Sequence, residues 1–228
     1  MFRISDSHKA YIMPFAVFMV LLGIIPLVGF PFKASGSIFL SAPQYWVFPV
    51  QTLLCGALLW RYRAHYPLAR IAKPGFTLFI AILVFVIWIS PQHIFRAAPR
   101  TVGFDPTLFQ ANRSLFAATL LLRFLRLVIV VPLLEEIFWR GFLLRDLIHP
   151  DFTKVPIGAF TGFSFFGVAI AFGLAHWGPD FVPAVITGAL YNAVAYRTRS
   201  LSSCVTAHAV TNLLLGIYIM QTRQWGFW

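Results

Sequence analysis

The sequence predicts an all-α protein, a polytopic membrane bundle of about seven transmembrane helices. Three observations predict it. Of 228 residues, 59% are hydrophobic and 11% charged, against roughly 25% charged in a soluble domain. The apolar residues gather into runs of spanning length, separated by loops rich in Pro, Gly or Arg. The basic residues stand at the ends of those runs, where they set topology and meet anionic lipid. At this length the chain is expected to form one membrane domain with no second globular unit.

The first run, Ala10 to Phe30, exceeds a secretory h-region and is expected to persist as a helix, Ala34-Ser35-Gly36 being only a faint cleavage look-alike. The second covers Tyr45 to Trp60 and is closed by a basic loop with Arg61, Arg63, Arg70 and Lys73; the third covers Phe76 to Ser90. Pro91 to Arg113, with Pro99, Gly103 and Pro106, reads as loop or interfacial structure. The fourth runs from about Ser114 to Ile148, too long for one straight span, and Pro132 is expected to kink it. Arg123 and Arg126 share a face and mark where its membrane part begins, which leaves Leu127 to Leu147 to span. The fifth, Gly158 to Trp177, ends at Gly178-Pro179; the sixth covers Phe181 to Tyr196 and the seventh Leu201 to Gln221. A cytoplasmic N-terminus puts Arg3, Lys9, Arg61, Arg63, Arg70, Lys73, Arg145, Lys154, Arg197 and Arg199 inside, and only Lys33, Arg96, Arg100, Arg113 and Arg223 outside.

The net charge of +11 does not indicate nucleic-acid binding, because the basic residues are scattered instead of forming one stripe. Cys55 and Cys204 lie in apolar runs without metal-type spacing and read as small buried residues.

The costly residues are the polar groups inside the runs. Glu135 and Glu136, the only glutamates, sit with Arg140 among Val, Ile, Leu and Phe. A carboxylate there costs several kcal/mol unless a partner compensates. A structural ion pair is the plain alternative to a catalytic task. Glu136 and Arg140 are one turn apart and can pair on their own helix, whereas Glu135 is rotated by about 100° and points elsewhere. That spacing assigns two jobs: Glu136 tied to Arg140, Glu135 free to face a cavity. His176 closes Phe172-Gly173-Leu174-Ala175-His176, and His208 shares a helix face with Asn212. Singly, either histidine reads as a helix-to-helix hydrogen bond. Together, a free carboxylate, two imidazoles and an amide can activate water and hold an oxyanion. His8, His65, His93 and His149 lie in terminal or loop positions and receive no role.

Glu135-Glu136-x-x-x-Arg140, Phe172-x-x-x-His176 and His208-x-x-x-Asn212, in that order within apolar helices, resemble the three motifs of the CAAX protease and bacteriocin-processing enzymes, the CPBP or Abi family. The resemblance covers roughly residues 115 to 221. It implies an intramembrane endopeptidase acting on a membrane-associated peptide or protein, with residues 114–228 as catalytic core and residues 1–113 as motif-free helices and loops. Glu135 would be the general base, with His176 sharing its water. His208 and Asn212 would stabilise the oxyanion, and Glu136, Arg140 and Phe172 would support the site. No metal is expected to be obligatory; if zinc serves, Glu135, His176 and His208 would be its ligands. The short loops suggest a bacterial inner membrane.

Other readings remain open at this stage. Intramembrane Glu, Arg and His suit a proton-coupled transporter or channel. A non-catalytic immunity or binding protein could keep the motifs for structure. Cys204, His208 and Asn212 invite a thiol-protease reading, but stacking on one helix is poor geometry for a triad. Simple seven-span topology also sets His176 near the outer end of its helix, offset from Glu135 and His208 by up to ~10 Å.

Overall fold

A computed structural model describes residues 5–228; Arg3, counted above with the inside charges, lies outside the described residues. The chain is 75% helical with no strand among the described residues. The main helices are α1 (Asp6–Gly29), α2 (Gln44–Arg61), α3 (Pro74–His93), α4 (Arg113–Asp146), α5 (Gly162–Ala175), α6 (Phe181–Thr198) and α7 (Leu201–Thr222).

Local chemistry sets their ends. Asn112 caps α4 by accepting from Leu115 N, and Ser200 caps α7 by accepting from Ser203 N. Pro74 occupies the first turn of α3, where its missing N–H costs nothing. Helix α5 begins at Gly162, later than the expected 158, because Thr161 and Ser164 form a reciprocal capping box. It stops at Ala175, leaving His176 as its C-terminal cap.

Among the described residues four helices, α1, α3, α4 and α7, are long and apolar enough to cross a membrane. Helices α2 and α6 reach 18 residues each but carry buried polar groups, Gln51 and Thr52 on one, Thr187 and Asn192 on the other. Helix α5 has 14 residues. The difference from the expected seven arises from buried polar side chains in α2 and α6 and from the short length of α5.

Pro132 lies inside one continuous 34-residue helix. Two π-helical turns, Arg126–Val130 and Ile137–Leu143, flank the glutamates. Such turns widen a helix by one residue and are common at functional positions. Here the first has a local cause. Val131 N–H bonds to Arg126 O, five residues back, and Pro132 has no N–H to give. The Leu127 carbonyl therefore lacks a donor from its own helix.

Helix α4 runs through the middle of the bundle. On one side its buried Val130, Val131, Leu134 and Ile137 pack with Ala10, Tyr11 and Phe18 of α1 and Cys55 and Leu59 of α2. On the other, Trp139 and Leu144 pack with residues of α3, α5, α6 and α7. Helices α5 and α6 approach closely at Gly188, where a Cβ would stand 2.9 Å from Ala169 Cα and 3.0 Å from its carbonyl oxygen. Overpacking at such a contact costs about 1–3 kcal/mol. Gly188→Ala is expected to destabilise the protein by that amount, read as a lowered thermal unfolding midpoint in detergent.

Candidate active site

Burying Glu136 and Arg140 completely requires that each find partners, and both do. Arg140 donates from Nη1 to Glu136 Oε1 (3.0 Å), from Nη2 to the Gly188 carbonyl (3.0 Å) and from Nε to Asn192 Oδ1 (3.0 Å). Asn192 is itself anchored by its amide N–H to the Phe165 carbonyl at 2.8 Å. The guanidinium also lies over the rings of Phe172 and Tyr191, at 5.1 and 5.4 Å. The expected pairing of Glu136 with Arg140 is thus present, and it reaches further: the arginine joins α4 to α6 directly and to α5 through Asn192.

Glu136 Oε1 also accepts from His208 Nδ1, at 2.9 Å. A carboxylate can only accept here, so Nδ1 carries a proton, and Nε2 has no partner among the described residues. The helix spacing of Glu136 to Arg140 did not reveal this second partner, because it lies 72 residues away on α7.

Glu135 differs from its neighbour as the 100° rotation predicts. It makes no ion pair or hydrogen bond among the described residues, and its Oε2 is buried without a partner. The carboxylate lines a cavity of about 300 Å³ inside the bundle, and His176, His208 and Asn212 line the same cavity. Helix α5 ends early, and His176, its cap, still lines the cavity of Glu135 and His208. As the cap residue, His176 leaves helical geometry (φ −115°) and folds back. Its ring stacks on Phe172 at 4.6 Å, and its Nδ1 donates to the Phe172 carbonyl at 2.9 Å, leaving Nε2 free. Phe172 supports the site as a platform for both His176 and Arg140.

Asn212 donates from Nδ2 to the Leu127 carbonyl at 2.9 Å, the carbonyl that Pro132 and the π-turn leave unserved. One amide proton is thereby fixed and the second remains available. Glu135, His176 and His208 share the cavity wall, but among the described residues no three His, Cys, Asp or Glu side chains are grouped closely enough to hold a metal. As arranged they do not make a zinc site.

Several wall residues were not singled out by the motifs. Phe15, Phe18, Met19 and Leu22 of α1 line the cavity, so the motif-free part of the chain contributes to it. Trp139 and Arg123 also line it, and each carries a buried donor without a partner. Cys204, by contrast, is fully buried with its thiol on the Ser200 carbonyl and does not line the cavity.

Residues 116–214 match the family described as Rce1-like, type II CAAX prenyl endopeptidase Rce1-like. Over this segment the chain is similar to the CAAX protease family. The match agrees with the extent of the resemblance, and the matched segment contains every motif residue from Glu135 to Asn212. No curated protein and no solved structure matches the chain. The matched segment supplies most of the helices from α4 to α7 around the cavity, while α1 and α3 complete its wall from outside the match.

The Glu136–Arg140 pair predicts a specific stability pattern. Arg140→Met strands a buried carboxylate and is expected to cost about 3–5 kcal/mol. Adding Glu136→Gln to that variant is expected to recover part of the loss, checked by thermal unfolding of the single and double variants.

Proposed function

We propose that the protein is an intramembrane endopeptidase that cleaves a membrane-associated peptide or protein with a glutamate-activated water. One observation carries the reading: a carboxylate with no hydrogen bond or ion pair among the described residues, Glu135, lines one cavity with two imidazoles and an amide, each of which has one nitrogen already engaged. The match to a peptidase family over the same residues supports it.

In this mechanism Glu135 takes a proton from a water held also by His176 Nε2. The water oxygen attacks the scissile carbonyl carbon. The resulting oxyanion accepts from His208 Nε2, protonated and balanced by Glu136, and from the second Asn212 amide proton. Glu135 then returns its proton to the leaving nitrogen as the C–N bond breaks. Burial strengthens each of these contacts relative to water. Every step uses side chains of the protein, and none is routed through zinc.

The membrane arrangement is part of the proposal. Seven spans, a cytoplasmic N-terminus and a location in a bacterial inner membrane fit the loop charges. Residues 114–228 serve as the catalytic core, and the helices of residues 1–113 shield it and shape its mouth. The substrate reaches the cavity from within the bilayer.

Cleavage of a membrane-anchored peptide library in liposomes tests the reading. Glu135→Ala is expected to lower the rate by about 10²–10⁴-fold while still inserting and folding. Asn212→Ala is expected to lower it by about 10²–10³-fold. Undiminished cleavage by the Glu135→Ala protein overturns the proposal.

A further inference from the structure

Two arginines in the same cavity have no role in the mechanism above. Arg123 is 2% exposed, yet its Nε and Nη1 have no hydrogen-bond partner. A guanidinium binds a carboxylate side-on through Nε or end-on through Nη1; both approaches lack an acceptor here. The group lies 4.5 Å over Phe48, 4.7 Å over Phe104 and 5.4 Å over Trp228. Ring faces attract a cation but accept none of its in-plane hydrogens. Arg126, three residues on, points into the same cavity and is held by Gln51, whose Oε1 accepts from Arg126 Nε at 2.8 Å. Gln51 is fixed in turn by donating to the Phe18 carbonyl at 2.7 Å.

The acids on this cavity wall do not neutralise the pair. Of the acids that line it, Glu135 forms no ion pair and Asp180 pairs with Arg100; Glu136, which does not line it, is shared by Arg140 and His208. Two buried guanidinium groups three residues apart, neither in an ion pair among the described residues, with Glu135 close enough to attract Arg126 through space but no carboxylate acting on Arg123, are costly unless a further anion arrives with a ligand.

We infer that Arg123 and Arg126 form an anion subsite that receives a carboxylate of the bound peptide. That the anion belongs to a peptide rests on the peptidase reading; that an anion is bound rests on the arginines alone. A peptide carboxylate is favoured over a lipid phosphate because the site is enclosed by Phe48, Phe104 and Trp228 and opens on the cavity of Glu135. Arg126 precedes Glu135 by nine residues on one continuous helix, a rise of at most roughly 13 Å. An extended peptide covers that distance in about four residues. The carboxylate therefore sits about four residues from the bond presented to Glu135, and the subsite sets the register of the peptide.

The test measures binding without turnover, using the Glu135→Gln protein in phosphatidylcholine nanodiscs. The probe is dansyl-Ala-Leu-Val-Phe-Ala as free acid, as its neutral amide, and as an amide with Glu in place of the last Ala, read by energy transfer from tryptophan. The free acid or the Glu-bearing amide is expected to bind about tenfold or more tighter than the neutral amide. Arg123→Met and Arg126→Met are expected to reduce that preference to about twofold or less, with the neutral amide's affinity unchanged. Equal binding of all three probes, binding of none, or a preference that survives both methionine variants overturns the inference. Loss of the preference when phosphatidylglycerol is added also overturns it, because the anion is then a lipid phosphate. Should a methionine variant fail to fold, the comparison of probes with both arginines intact decides. None of these outcomes depends on cleavage, so failure of the subsite and failure of the peptidase reading are separate results.

Discussion

The Glu136 carboxylate is the interaction on which the site depends. It is fully buried and one oxygen serves two donors, Arg140 on its own helix and His208 on α7. In a low-dielectric interior a charge so placed is tolerable only while its partners hold their geometry. Arg140 passes the constraint to α6 through Gly188 and Asn192, and Asn192 passes it to α5 through Phe165. Four helices are therefore registered against one carboxylate. The positions of Glu135, His176 and His208 follow from that registration.

A second constraint comes from the backbone. Pro132 and the π-turn before it leave the Leu127 carbonyl without a donor inside α4, and Asn212 fills the gap from α7. An unserved carbonyl in an apolar interior costs free energy, so the irregular turn and the asparagine stabilise each other. The same contact orients the amide that the proposed mechanism uses. Irregular helix and reactive group are coupled by hydrogen bonding, which accounts for the first of the two π-turns flanking the glutamates.

Much of this was readable from residue order. Adjacent glutamates with an arginine one turn on predicted both the ion pair and the separate direction of Glu135, since helical rotation alone decides which side chains share a face. The helix starts at Asn112 and Ser200 follow from capping chemistry. Less readable were the ends of α5, where a capping box at Thr161 and a fold-back at His176 shorten the helix and bring the histidine inward. The cavity-facing arginines were read only as markers of a membrane boundary, since nothing local in sequence distinguishes a buried, unpaired Arg123 from an interfacial one.

The sequence by itself determined what depends on composition and local spacing: an all-α membrane protein, the order of its apolar runs, and three short polar motifs on helices. Tertiary structure alone decided what those motifs face. His208 meets Glu136 across 72 residues of chain, α1 closes a cavity built by the last four helices, and Arg123 loses its access to solvent. The physical reason is that a charged or polar side chain acquires its energetic meaning from neighbours distant in sequence. Periodicity reports the direction a side chain leaves its own helix, but not the groups waiting on the next one.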